Sequence, residues 1–255
     1  MVLLAEHTTT TARDALENVE VAVVPTGSVE QHGPALPLGT DFMAAEAVAA
    51  TCRDRDDAVV LPTIPVGVSE HHRQFHGTLW TDPETFEEYV RDVVESMAHH
   101  GVRKAVVVNG HGGNTDALQR AARSLRQEET AFAAPWNWWD SLDGLEEELF
   151  GDAGIGHADQ MEASMMLRVA DHLVREHAMA EAQDGASDSW GESVHGANVG
   201  FDTIDFSDSG AVGEPTLATH EAGDKLFEKA EEELAALVDW LGEQPFEALL
   251  PAEHR

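Results

Sequence analysis

The chain has 255 residues, with 48 Asp and Glu against 15 Lys and Arg, and a formal net charge of −33. A surface this negative repels nucleic-acid phosphates and anionic membrane surfaces, which excludes both as general partners. A hydrophobic content of 42% with six Trp excludes a disordered acidic chain, and the single Cys52 excludes an intramolecular disulfide framework and a cysteine zinc site.

Met1–His7 has neither a basic n-region nor a long apolar h-region, so no signal peptide is expected. Val21–Val24 predicts a short buried strand that runs into Pro25-Thr26-Gly27. Asp41–Arg55 is rich in Ala and predicts a helix, and Ala58–Leu61 predicts the next strand, closed by Pro62. Pro83–His100 is strongly amphipathic, with Thr81 or Asp82 as N-cap and Pro83 in the first turn. Ala105–Val108 is β-branched after its first residue and predicts a strand leading into Asn109-Gly110-His111-Gly112-Gly113-Asn114. Helical spacing resumes over Asp116–Arg126, and Ala131–Ala134 predicts a weaker strand. Gln160–Leu173 and His220–Leu241 predict helices. Between them Glu181–Glu214 is rich in Gly, Ser and Asp around Trp190, His195 and Phe201, and reads as one long irregular excursion. No apolar run approaches the ~20 residues of a membrane-spanning helix. The strand–loop–helix alternation predicts a single α/β domain over residues 1–255, its mostly parallel sheet covered on both faces. Active sites in such sheets lie at the carboxyl ends of the strands.

Two of those strand ends carry unusual clusters. In an extended segment residues i and i+2 share a side, so Glu30 and His32 face one point and Gln31 turns away. Asp41 opens a helix, where the N-terminus favours a carboxylate. In the second cluster the glycines permit a tight turn around His111. A histidine in a loop is a weak signal by itself, but Glu, His, Asp and His at adjacent strand ends form a mixed N/O set. Such a set suits Zn, Fe, Mn or Co rather than Ca or Mg alone.

Pro25 through Gly33 with Asp41 resembles the first metal motif of the creatininase (creatinine amidohydrolase) family, and Asn109–Asn114 resembles the second. His157-Ala158-Asp159-Gln160-Met161-Glu162-Ala163-Ser164 and Val212-Gly213-Glu214-Pro215-Thr216 resemble later family motifs, and Glu70-His71 with Phe75-His76-Gly77-Thr78 resembles a middle one. The resemblance covers about residues 15 to 240 and implies a three-layer αβα sandwich with a metal centre, often binuclear. By position it implies Glu30, His32, Asp41 and His111 as ligands of one or two divalent ions, Fe2+ or Zn2+ with Mn2+ as a further option, and Asp41 as the bridge. His157 matches a histidine near the bound substrate and is the candidate proton donor to the leaving amine. Glu162 matches a family glutamate of catalytic or structural role, and Gln31 or Asn114 could fix the histidine tautomers. Gly113 stands where creatininase has a ligand glutamate, and Gly112 where it has an aromatic residue. Both departures argue against creatinine as substrate and leave a second ion one ligand short, unless Glu162, water or substrate completes it.

Gly-Gly in the second motif and Ser69-Glu70-His71-His72-Arg73-Gln74-Phe75 resemble the archaeal branch that removes formate from a formylamino-pyrimidine ribosyl phosphate in riboflavin and deazaflavin coenzyme synthesis. Arg73, His71 and Asn114 are then the candidate substrate-binding residues, with Arg73 set against a phosphate or on the surface. Trp136, Trp138 and Trp139 would stack on a pyrimidine or pack in the core. Creatinine hydrolysis and peptide trimming are the alternatives. Only three bases are lysine, Lys104, Lys225 and Lys229, and this imbalance resembles a cytoplasmic protein of a salt-accumulating halophile. At ~1 M salt the Debye length is about 3 Å, which screens such self-repulsion. The remaining expectations are a small-molecule substrate and a homo-oligomer, dimer or hexamer.

Overall fold

The computed structural model describes residues 3–252. Strands β1 (Val21–Thr26), β2 (Ala58–Val60), β3 (Lys104–Asn109) and β4 (Phe132–Asn137) form one sheet in the order β2-β1-β3-β4, and every pairing in it is parallel. Nine helices surround it among the described residues: α1 (Thr9–Leu16), α2 (Thr40–Ala50), α3 (Pro83–His99), α4 (Thr115–Gln127), α5 (Leu145–Phe150), α6 (Gln160–Ala170), α7 (Met179–Asp184), α8 (His220–Glu243) and α9 (Phe246–Leu249).

Side chains alternate along each strand. Val21, Val23, Val106 and Val108 enter one layer, where Val48 of α2, Met161 and Met165 of α6, and Leu226 and Leu234 of α8 bury against them. Ala22, Val24, Ala105 and Val107 enter the other layer, against Phe86 and Val90 of α3 and Leu118 and Leu125 of α4. Each such Val or Leu contributes about 1.5–3 kcal/mol by leaving water. The result is a three-layer αβα sandwich. Lys104 is buried at the amino end of β3, where its Nζ donates to Gly242 O (2.7 Å) and Gln244 O (3.2 Å) and ties down the end of α8.

The long elements agree with the sequence to within a few residues, and the differences have local causes. The helix expected over Asp41–Arg55 ends at Ala50 and tightens into a 3-10 turn over Thr51–Asp54. Gln160–Leu173 divides in the same way, with a 3-10 turn over Asp171–Leu173. β4 continues past Ala134 to Asn137, because an edge strand tolerates Pro135, and this brings Trp136 into the strand. Helices α1, α5, α7 and α9 have eight residues or fewer and no sustained apolar period in the sequence. Local contacts make them; α1, for one, starts on Thr8, whose Oγ1 accepts from Thr11 N–H. The expected excursion begins inside α7. It is then irregular, apart from the hairpin β5 (Ser193–Val194) and β6 (Ala197–Asn198) and a 3-10 turn over Thr203–Asp205. Among the described residues no helix is long and apolar enough to cross a membrane.

The acid excess sits largely on the helix surfaces, so its cost should track ionic strength. Between ~0.1 M and ~2 M KCl the Debye length falls from about 10 Å to below 3 Å. The Tm followed by circular dichroism is expected to rise steadily over that range; a flat or falling profile would remove the high-salt reading.

Candidate metal centre

The β1–α2–β2 connection leads to one side of the sheet and β3–α4–β4 to the other. β1 and β3 are neighbours, so a crevice opens between their carboxyl ends, where sheets of this kind bind ligands. Glu30 and His32 leave β1 in a loop pinned by Glu30 N–H to Leu38 O (2.9 Å) and Leu79 N–H to Val29 O (2.8 Å). Asp41 lies in the first turn of α2. A Cβ on Gly110 would overlap Asp41 O, so only glycine lets the exit of β3 deliver His111 beside Asp41. Asn109 then grips His111 by both backbone groups: its Oδ1 accepts from His111 N–H at 3.2 Å and its Nδ2 donates to His111 O at 2.6 Å. His157 is held by a two-way backbone bridge to Val212 (2.9 and 2.7 Å). Glu162 sits in the first turn of α6, which Asp159 caps by accepting from Met161 N–H (2.8 Å) and Glu162 N–H (2.9 Å).

These side chains converge on Asp41 and Glu30. Asp41 Oδ1 is 2.9 Å from His32 Nε2, and its Oδ2 is 3.2 Å from His111 Nδ1. Glu30 Oε1 is 3.2 Å from His111 Nδ1, 3.5 Å from His72 Nε2 and 3.6 Å from His157 Nδ1. Glu162 Oε2 is 3.4 Å from His32 Nε2 and 3.9 Å from His157 Nδ1. The far ring nitrogens meet backbone carbonyls: His32 Nδ1 with Glu30 O (3.1 Å), His111 Nε2 with Val68 O (2.9 Å) and His157 Nε2 with Gln31 O (2.8 Å). Assigned from these contacts, the far nitrogens carry the protons and the near ones turn lone pairs inward. Backbone carbonyls thus do the tautomer fixing that the sequence suggested for Gln31 or Asn114. The Gln31 side chain does not turn away. Its Nε2 packs behind the site at 2.9 Å from His72 Nδ1, 2.8 Å from His157 Nε2 and 2.9 Å from Gly210 O.

Both oxygens of Glu30, both oxygens of Asp41 and His32 Nε2 are buried with no hydrogen-bond partner. The short approaches of His32 and His111 to Asp41 and Glu30 are ion pairs when those rings are protonated, and encounters of acceptors when the rings are neutral, as metal binding requires. Buried carboxylates without donors are costly unless a cation neutralises them. Three overlapping triads keep their ligand atoms within 4.8 Å of one another: Glu30, Asp41 and His111; His32, Asp41 and Glu162; Glu30, His32 and His157. The donor chemistry fits one or two divalent ions. At Gly113 a Cβ would overlap His111 Nε2 and Val68 O, so the glycine makes room for the bond that orients His111. No carboxylate can enter from that position without breaking it, and Glu162 approaches instead beside His32 and His157.

Burial works against every charge here, and neighbours decide the outcome. Burial pushes Glu30 up, but His111 and His72 outweigh it and hold the carboxyl down at about 2. Asp41 is likewise lowered, by His32 and His111 against burial. Burial disfavours the His32 and His111 cations, yet Asp41 with Glu162, and Glu30 with Asp41, raise them well above the usual value. Burial and neighbouring histidines push His157 and His72 down, and His71 to about 4, so these rings are neutral. His32 and its neighbours lower Glu162 against its burial, while burial and the charge of Glu162 raise Asp159.

A cavity of about 360 Å³ opens over the cluster, with Glu30, His111, His157 and Glu162 on its floor. Trp138, Trp139, Ile155 and Trp190 form apolar walls, and His71 and His72 complete one side. Arg73 does not reach this cavity; its Nη1 and Nη2 donate to the two oxygens of Asp202 at 2.7 and 2.6 Å. Asn114 is buried beneath it as a brace. Its Nδ2 donates to Gly27 O (3.0 Å) and its Oδ1 accepts from Val68 N–H (2.9 Å), which positions the carbonyl that orients His111. His72 and Trp190 were not legible as site residues. The His71-His72 pair carries no sign of which ring is buried, and Trp190 lies in a segment without periodicity.

The creatininase (creatinine amidohydrolase) family profile matches residues 5–238. The chain belongs to the creatininase family. It is a metal-dependent amidohydrolase of C–N bonds. It is 33% identical over 225 residues to the mycofactocin precursor peptide peptidase of Mycolicibacterium smegmatis, covering 86% of this chain and 84% of that protein. It is 31% identical over 153 residues to the 2-amino-5-formylamino-6-ribosylaminopyrimidin-4(3H)-one 5'-monophosphate deformylase of Methanothermobacter thermautotrophicus, covering 59% and 60%. The likeness to the deformylase is thus partial, and the peptidase matches over more of both chains. A mutant creatininase complexed with creatine superposes with a TM-score of 0.78 at 22% identity, covering 94% of this chain and 98% of that one. A creatininase structure with Mn has a TM-score of 0.76 at 23% identity, covering 95% and 99%.

His111→Ala is expected to abolish both metal retention and turnover, measured by plasma mass spectrometry and amine release. Wild-type metal content and rate in the variant would overturn its role as ligand. A second expectation concerns pH. Without metal, the raised His32 and His111 stabilise the fold below their usual value, and that contribution is lost as pH rises through the raised one. Metal needs the same rings neutral, so its stabilisation grows with pH. EDTA is therefore expected to lower the Tm more at about pH 8 than at about pH 6.

Proposed function

We propose that this protein is a two-ion amidohydrolase of the peptide-trimming kind, cleaving an amide beside a flat or branched apolar group. Glu30, Asp41 and His111 would hold one ion and His32, Asp41 and Glu162 the other, with Asp41 between them and His157 alongside. Such ions, drawn from Mn2+, Fe2+ and Zn2+, lower the pKa of a bound water toward ~7 and polarise a carbonyl. Glu30 and Asp41 stay ionised and keep the floor of the cavity anionic. His157 is held from behind by Gln31, whose O and Nε2 both lie 2.8 Å from its Nε2, and with Nδ1 turned toward Glu30 it is the candidate proton donor to the leaving amine. His71 lines the wall, and its ring has no hydrogen-bond partner among the described residues. As a neutral imidazole it offers a hydrogen bond to the substrate amide.

The lining of the cavity carries this reading. Five apolar side chains, Met161 among them, face an acid and histidine floor, and no Lys or Arg is among the described lining residues. A volume near 360 Å³ suits a short peptide end or a small molecule. The near full-length similarity to a precursor peptide peptidase supports the same class. The deformylase is the second reading, because Trp138, Trp139 and Trp190 offer planar faces to a pyrimidine. Its phosphate would need a cation, and Arg73 is engaged by Asp202. The acid excess supports a saline cytoplasm, and exposed Leu79, Trp80 and Phe201 support assembly into a homo-oligomer.

The test is a panel assayed in ~2 M KCl, where charge repulsion is screened, with metal-loaded protein: Gly-Gly-Phe, Gly-Gly-Ala, the formylamino-pyrimidine ribosyl phosphate and creatinine. Release of phenylalanine is expected to be the fastest reaction. Formate release alone would replace this reading with the deformylase.

A further inference from the structure

We infer that Trp190 is the specificity-determining residue of the cavity, selecting a flat apolar group beside the scissile amide, and that the Arg73–Asp202 pair is the clamp that positions it. The inference rests on the amide-hydrolase reading for its substrate class.

The other aromatic walls are fixed by the core. Trp138 is 2% exposed, and Trp139 stands edge-on against it with ring centroids 5.6 Å apart. Trp190 is different: it is 51% exposed and comes from the excursion, far along the chain from the strands. The residues of both strands of the hairpin beside it are exposed, and a two-stranded hairpin alone is marginal in water. Its position must therefore be supplied by polar contacts.

Those contacts can be traced. Glu192, two residues past Trp190, accepts through its carbonyl from Val199 N–H at 2.9 Å, and Gly191 packs on Gly200 and Phe206. Three residues beyond Val199 comes Asp202. Its carboxylate takes both forks of Arg73, at 2.7 and 2.6 Å, and Gln74 Nε2 at 2.6 Å. The bidentate geometry needs arginine, since a lysine offers only a point charge. Arg73 follows directly on His71 and His72, so the clamp ties the free wall of the cavity to the segment that supplies two of its other lining residues. Thr203 repeats the tie, with Oγ1 2.9 Å from His72 Nδ1.

The experiment is calorimetric binding of benzamide and of acetamide to metal-loaded wild type, Trp190→Ala, Trp190→Phe, Arg73→Met and Arg73→Lys. Loss of the indole is expected to weaken benzamide about tenfold in Trp190→Ala, since an aromatic pair contributes up to about 1.5 kcal/mol beyond area. Acetamide affinity and metal content should hold, and Trp190→Phe should keep most of the benzamide affinity. Arg73→Met should weaken benzamide alone by about threefold, given the modest worth of exposed ion pairs, with partial recovery in Arg73→Lys. Equal benzamide binding by wild type and Trp190→Ala overturns the assignment of Trp190, as does equal loss of both amides or no wild-type preference for benzamide. An unchanged amide preference in Arg73→Met overturns the clamp. If benzamide binds as expected while no panel amide is cleaved, the hydrolase reading fails and the wall stands.

Discussion

Two carboxylates, Glu30 and Asp41, meet inside the protein with none of their four oxygens hydrogen-bonded. No arrangement of neutral groups makes that favourable. The surroundings are built around this mutual repulsion. β1 and β3 stay paired to their last residues while the connections after them part to make the crevice, and Gly110 lets the two loops close until His111 sits against both acids. In the metal-free cluster the histidines supply the compensating charge. This is why His32 and His111 shift up while His71, His72 and His157, farther from the paired acids, shift down.

The backbone does much of the aiming. Three imidazoles are oriented by carbonyls of Glu30, Gln31 and Val68, none of which depends on its own side chain for the task. Side chains act one step further out. Asn109 grips the backbone of His111, and Asn114 fixes Val68. Gly113 belongs to the same layer by what it lacks: its missing Cβ is the space in which His111 reaches Val68.

The sequence was a good guide wherever chemistry follows period and order. Strand alternation, the Pro83 helix start and the Glu-x-His spacing all follow from the nearest neighbours along the chain, and the doubly covered sheet follows from them. It was a poor guide wherever partners come from far along the chain. Arg73 reads as a scarce cation free for phosphate, but Asp202, distant in sequence, takes both its forks. Asn114 reads as a residue at a ligand loop, but its amide is consumed beneath that loop. Gln31 reads as facing away because the pleat of β1 was carried past its end, and the chain there is no longer a strand. The excursion was legible as irregular and not as a cavity wall, because nothing local marks Trp190 apart from any exposed tryptophan.

The excursion is fastened at two places to the backs of the inner histidines, by Thr203 to His72 and by the Val212 bridge to His157. It is therefore not a module that can be exchanged at will. A loop grafted here from a relative would have to bring a hydroxyl and a backbone bridge at matching positions, or else release two imidazoles whose orientation it helps to set. Diversity of substrate in this fold is thus constrained from behind the inner histidines, and variation is freest in the exposed hairpin β5–β6, ahead of both fastenings.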